Sequence, residues 1–356
     1  MKTAIRNARR TAVGGLTAVV LGLVAACAGQ PPPATTTPAA ATPTVAAPTA
    51  TAARTAGTSS ARPTPSALAR PAAVVGSLGH YRVGERQLTF TEPAHTGVAG
   101  EDLGPRTLAT VVWYPLAGSR PPAGPLPVIM FAPGFMQCGD PYSSLLRSWA
   151  SAGYVVAAVD FPRTSCLVAD PYEADLVNQP RDVSYALSQL LDLSAQPRDP
   201  FYGLLDRHEV GAAGQSDGGD TVAALAANGC CTDHRLTAVA VLSGAEWPPM
   251  PGRYFAHGAP PMLFVQGSAD TINPPWTSVQ LYRADAEAAR YYLDLFGVDH
   301  MTPYTGTNPV ERRVTLVTTA FFDRYLLGQA GALATMAREG NASGAAALVS
   351  GGTPPP

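Results

Sequence analysis

The residues with the clearest chemical purpose are Gly214-Gln215-Ser216-Asp217-Gly218-Gly219, a G-x-S-x-G pattern extended by one glycine. A strand-like run, 209–213, precedes it, and a small-residue run compatible with helix, 218–228, follows. A serine on a tight strand-to-helix turn has its hydroxyl exposed, and flanking glycines let the two backbones approach. The helix N-terminus behind it favours developing negative charge. Such a hydroxyl attacks only when a base takes its proton and an acid orients the base. Both partners follow in chain order. Asp270 stands in Gly267-Ser268-Ala269-Asp270, just after the apolar run 261–265, and His300 in Gly297-Val298-Asp299-His300, just after 291–296. Ser216, Asp270 and His300 in that order are nucleophile, orienter and base for covalent attack on an acyl carbonyl. His257 is the alternative base and Glu246 the alternative acid, while Asp299 adjoins His300 too closely to orient it. No His, Asp or Glu cluster has metal-ligand spacing, so neither metal nor cofactor is expected.

These residues need a scaffold that brings strand ends together, and the pattern around them predicts one. Strands are expected at 107–114, 127–132, 154–160, 209–213, 237–242, 261–265 and 291–296, mostly as continuous apolar runs, the mark of strands buried on both faces. Helices are expected between and after them at 142–152, 180–193, 218–228, 275–289 and 310–328. In the second, Val183, Leu187, Leu190 and Leu191 fall on one stripe. Strand and helix in alternation predict an α/β fold with a mostly parallel central sheet and helices on both faces. Its chemistry belongs at the carboxyl ends of the strands, where Ser216, Asp270 and His300 all fall.

Composition narrows the function classes. The chain has 356 residues, 24 Lys and Arg against 26 Asp and Glu, and a net charge of -2, so no basic surplus offers a nucleic-acid platform. Gly 34 and Pro 35 together make about a fifth of the chain, and much of that bias sits at its two ends. Residues 1–10, MKTAIRNARR, are basic, and 11–26 are uncharged and apolar, the n-region and h-region of an export signal. Val24-Ala25-Ala26-Cys27 resembles the bacterial lipobox, which implies that residues 1–26 are removed and that Cys27 becomes the acylated N-terminus. Residues 27–75, rich in Pro, Thr and Ala, are expected to be a disordered tether, 76–338 a catalytic domain and 339–356 a disordered tail. The expected place is the cell envelope, with the protein lipid-anchored to the membrane, exposed outside the cytoplasm and monomeric in its catalytic domain.

The stretch from about residue 80 to 335 resembles the α/β-hydrolases, most closely the dienelactone-hydrolase-like, platelet-activating-factor-acetylhydrolase-like and cutinase-like polyester-hydrolase branch. The likeness is carried by 106–115, RTLATVVWYP, by Phe131-Ala132-Pro133-Gly134-Phe135, by 153–160, by Arg181-Asp182-Val183 and by Phe322-Asp323-Arg324-Tyr325-Leu326, besides the serine motif. It implies that the backbone N–H groups of Phe135 and Asp217 bind the oxyanion. Gln215 stands where the relatives usually carry His and is read as a packing variation. Asp217 is expected to turn its charge away, toward the helix N-terminal amides. Trp247 beyond the strand at 237–242, with Phe135 and Met136 opposite, would wall an open apolar cleft for short to medium acyl esters or accessible polyesters. An amidase or peptidase-type serine hydrolase, and a non-catalytic surface-binding lipoprotein with this fold, are the competing readings.

Four cysteines remain after Cys27: Cys138, Cys166, Cys230 and Cys231. Exported chains meet oxidising conditions, so pairing is expected, although spacing leaves three connectivities and the free thiols open. Cys138 and Cys166 each follow a strand ending on the catalytic side. A bond between them would tie the Phe135 loop to its neighbour and leave Cys230 to pair with Cys231.

Overall fold

The computed structural model describes residues 79–354. The expected signal, Cys27 and the 27–75 tether lie outside the described residues. No helix among the described residues is long and apolar enough to cross a membrane.

In chain order the elements are β1 (Arg82–Glu92), a short pair β2 (His95–Thr96) and β3 (Asp102–Leu103), β4 (Arg106–Leu116), β5 (Leu126–Ala132), α1 (Ser143–Ala152), β6 (Val155–Asp160), α2 (Gln179–Ser194), β7 (Leu205–Gln215), α3 (Asp217–Ala227), β8 (Leu236–Leu242), β9 (Met262–Gly267), α4 (Pro275–Ala284), β10 (Arg290–Leu295), α5 (Pro309–Tyr325), α6 (Ala332–Gly340) and β11 (Ala346–Ser350). Nine strands form one sheet in the order β1-β4-β6-β5-β7-β8-β9-β10-β11. The six from β6 to β10 run parallel, while β1, β4 and β11 pair antiparallel at the two margins.

The central strands are apolar throughout because both faces are covered. Along β5, Val128, Met130 and Ala132 pack under α2, α3 and α4, whereas Ile129 and Phe131 face α1 and α5. This is the α/β-hydrolase arrangement that the sequence predicts, with helices on both faces. Asn308 caps α5, its side chain accepting from the N–H groups of Val310 and Glu311.

β1, the short β2–β3 pair, α6 and β11 were not expected from the sequence. β1 is a full edge strand whose alternating half-exposed residues carry no continuous apolar run. The expected disordered tail at 339–356 is also corrected, because β11 lies within it and pairs with β10 from Leu295↔Ala346 to Tyr291↔Ser350. Leu348 and Val349 pack on opposite faces of the sheet, and the β10 backbone, otherwise an open edge, gains a partner. The small residues that made this segment look structureless are compatible with a strand once β10 supplies the ladder.

Candidate active site

The site is assembled at the carboxyl ends of β5, β7, β8, β9 and β10. Ser216 sits between β7 and α3 with φ 56 and ψ -125, a backbone conformation that few non-glycine residues adopt. The surroundings hold it there. Its N–H donates to Leu242 O of β8 at 2.9 Å, and its carbonyl accepts from Asp220 N at 3.0 Å. A side chain at Gly214 would run into the backbone of Gly218, and one at Gly218 into Ala132 at the end of β5. The glycines therefore serve the close approach that the sequence motif implies.

His300 and Asp270 meet in the loops after β10 and β9. His300 Nδ1 lies 2.7 Å from Asp270 Oδ2, both side chains being almost wholly buried. Asp270 is itself held: Oδ1 accepts from the N–H groups of Ile272 (2.9 Å) and Asn273 (3.0 Å), and Oδ2 from Gln266 Nε2 at 3.0 Å. Burial works against the Asp270 carboxylate, but His300 and these N–H groups outweigh it and hold it below the usual range. Asn273 Nδ2 in turn donates to Ser243 O, fixing the acid loop to the end of β8 at 2.7 Å.

Gln215 is more than a packing variation. Its side-chain nitrogen lies 3.1 Å from His300 Nε2 and donates to His300 O at 3.2 Å, while its oxygen accepts from the Tyr142 hydroxyl at 2.7 Å. Among the described residues no hydrogen bond joins Ser216 Oγ to His300. Sequence reasoning missed this contact; the one signal was a polar Gln closing the apolar end of β7, residues 210–214.

The Phe135 loop lies beside the serine. A Cβ at Gly134 would meet Gln215 Oε1 at 2.8 Å and the Ser216 Cβ at 3.1 Å. The Phe135 N–H takes part in no hydrogen bond among the described residues. Met136 N donates to Thr164 O (2.7 Å) and Cys166 N to Gln137 O (3.2 Å), and a Cys138–Cys166 disulfide ties the same two loops. The second disulfide joins Cys230 and Cys231, and Cys231 packs with Met250 and Trp247.

Asp217 meets only its own N–H among the helix N-terminal amides. It is buried, Oδ2 has no hydrogen-bond partner among the described residues, and no side chain caps α3. Burial first, then the Glu173 charge, push its pKa up to about 7, against the opposing pull of His300 and its own backbone N–H. Asp220, wholly buried one turn on, is also pushed up by burial and accepts from Ala245 N.

Trp247 borders a cavity of about 550 Å³ with Met250, Tyr254, Phe255, Trp276 and Gln280. Phe135 and Met136 are not among the residues that line it. Met136 and Ile272 are both exposed, at 53% and 65%, and each follows a residue group of the site closely in sequence. Glu246, the alternative acid, lines the same cavity and accepts from Gln280. His257 lines another cavity with Thr232, Asp233 and His234, near the amino end of β8 and thus away from Ser216. Among the described residues no group of three or more His, Cys, Asp or Glu is placed to hold a metal ion.

A family model described as PET hydrolase-like matches residues 107–330. No curated protein matches the chain.

Proposed function

The chain belongs to the PET hydrolase-like family, and on that premise we propose that it is a serine carboxylic-ester hydrolase working through an acyl-enzyme on Ser216. Serine-hydrolase activity at the level of the family follows from membership. The finer reading is carried by one observation: His300 and Asp270 are hydrogen-bonded at 2.7 Å at the ends of β10 and β9, on the side of the sheet that presents Ser216.

In this mechanism Ser216 Oγ bonds to the ester carbonyl carbon while its proton passes to His300 Nε2. Asp270 keeps the imidazole in the Nδ1–H form and stabilises the imidazolium. The N–H groups of Phe135 and Asp217 donate to the carbonyl oxygen as it becomes an oxyanion. Collapse breaks the carbonyl–alkoxy bond, and the leaving alcohol takes the proton from His300. Water then attacks the acyl-enzyme, giving its proton to His300, and the acid departs as Ser216 regains its hydrogen. Short to medium acyl esters and accessible polyesters are the proposed substrates. The family likeness supports a polyester, and the aromatic cavity beside Trp247 and Trp276 supports an aryl or apolar acyl group.

We also place the protein in the cell envelope, anchored through an acylated Cys27. This rests on the sequence of residues 1–75 alone.

The test is labelling by a fluorophosphonate at Ser216, with turnover of p-nitrophenyl esters, anilides and a polyester film. Ser216→Ala should abolish labelling while the protein still folds, and His300→Ala should cost about as much, on the order of 10⁴–10⁶ in kcat. Full turnover by Ser216→Ala overturns the assignment. Preference for anilides would make the protein an amidase, and no labelling would make it a non-catalytic binder.

A further inference from the structure

We propose that Gln215 is a positioning residue that latches the general base, occupying the His300 Nε2 lone pair in the resting site and releasing it when substrate is engaged. The inference rests on the triad reading above and goes beyond it.

The amide orientation is set by its neighbours. One Gln215 Nε2 hydrogen points at His300 O at 3.2 Å, a carbonyl that can only accept. The Gln215 oxygen faces the Tyr142 hydroxyl at 2.7 Å. Burial raises the Tyr142 phenol well above its usual range, so it stays protonated and donates to Gln215, while its own oxygen accepts from Gly134 N. Reversing the amide would set oxygen against oxygen at His300 and leave the Tyr142 proton facing an NH₂ group.

With this orientation, the second Gln215 hydrogen is directed at His300 Nε2, 3.1 Å away. A donor can sit there only if Nε2 carries no proton. Nδ1 then holds the ring hydrogen, which agrees with its 2.7 Å contact to Asp270 Oδ2. Gln215 thus selects the tautomer that catalysis needs while taking the lone pair through which the base acts. Proton transfer from Ser216 puts hydrogen on Nε2, where it would face the Gln215 N–H. The imidazole can accept that proton only by turning away from Gln215, toward the serine and the leaving group.

The chain Gly134–Tyr142–Gln215–His300 also connects the loop holding Phe135 to the loop holding the base. Gly134 has no room for a side chain beside Gln215. A carbonyl oxygen seated against the Phe135 N–H therefore presses on the same backbone that positions the latch.

The experiment uses the purified full chain. Gln215→Met removes the donor at similar volume and should raise the rate of Ser216 phosphonylation and kcat/KM about threefold to tenfold, the scale of one net hydrogen bond. Tyr142→Phe frees the amide without touching His300, should act in the same direction more weakly, and carries the kinetic test if Gln215→Met does not fold. In protein containing ¹⁵N-imidazole histidine, the His300 Nε2 resonance, assigned by its loss in His300→Ala, should be unchanged in Ser216→Ala and shifted in Tyr142→Phe and Gln215→Met. Slower or equal phosphonylation in the variants, or a resonance that moves with Ser216→Ala instead, overturns the latch. If the unaltered protein is not labelled at Ser216, the triad reading fails and takes the latch with it.

Discussion

Asp217 places a carboxyl group next to Ser216, the proposed nucleophile, and its electrostatics set an expected pH signature. Its folded-state pKa of about 7 stands above the ordinary 3.8, so the folded protein holds this proton more tightly than the unfolded chain. Stability from this position is therefore undiminished below about pH 4 and falls as pH rises toward 7. Asp217→Asn should match the original protein at pH 4 and gain about 2–4 kcal/mol above pH 7, read by urea unfolding at both pH values. Above pH 7 the carboxylate also competes for its own N–H, the proposed oxyanion donor. The kcat ratio of Asp217→Asn to the original should therefore climb about threefold to tenfold between pH 6 and 9; a flat ratio refutes this role. Residue types and chain order made Asp270 and His300 legible as partners, because each directly follows an apolar strand. Gln215 was not legible in this way. Its partners Tyr142 and His300 lie 73 and 85 residues away, and only folding brings them together.

At the level of elements, the Phe135 loop after β5 is held by the loop after β6. Cys138 and Cys166 are 28 residues apart, with Cα atoms 5.4 Å apart, and closing a loop of that length stabilises by about 3 kcal/mol in the chain-entropy account. Replacing both with Ser should lower Tm by roughly 6–10 °C. It should also reduce kcat several-fold with KM little changed, because Phe135 N–H is aimed by the backbone that the bond restrains. A lower Tm with unchanged kcat would leave the disulfide a stabiliser only. The strands from β5 to β10 were readable because burial on both faces demands an unbroken apolar run. β1 was not, since its outer position permits polar residues at alternate sites, and its role emerges from the register Arg82↔Leu116 to Glu92↔Arg106.

For the whole molecule, the proposed anchor and the catalytic domain make separate demands on sequence. The apolar segment before Cys27 and the Pro, Thr and Ala-rich stretch after it have no helical or strand period, whereas the residues from β1 onward alternate between sheet and helix patterns. Mass spectrometry of the mature protein should find Cys27 as the first residue, carrying a diacylglyceryl thioether; an unmodified terminus at another residue refutes the anchor. A second acyl chain would be needed for firm retention, since one chain holds a protein only weakly. At the other end of the molecule the Ala and Gly content has the pattern of a disordered tail, although β11 completes the sheet beside β10. That arrangement imposes an order in time. During synthesis the strand leading to His300 is made before α5, α6 and the strand that will cover its edge. Until Ala346–Ser350 follows, β10 is an unpaired ribbon next to an unfinished site, open to the strands of any neighbouring nascent chain. The interval between making His300 and sealing this edge is thus a period in which the chain is exposed to misassembly.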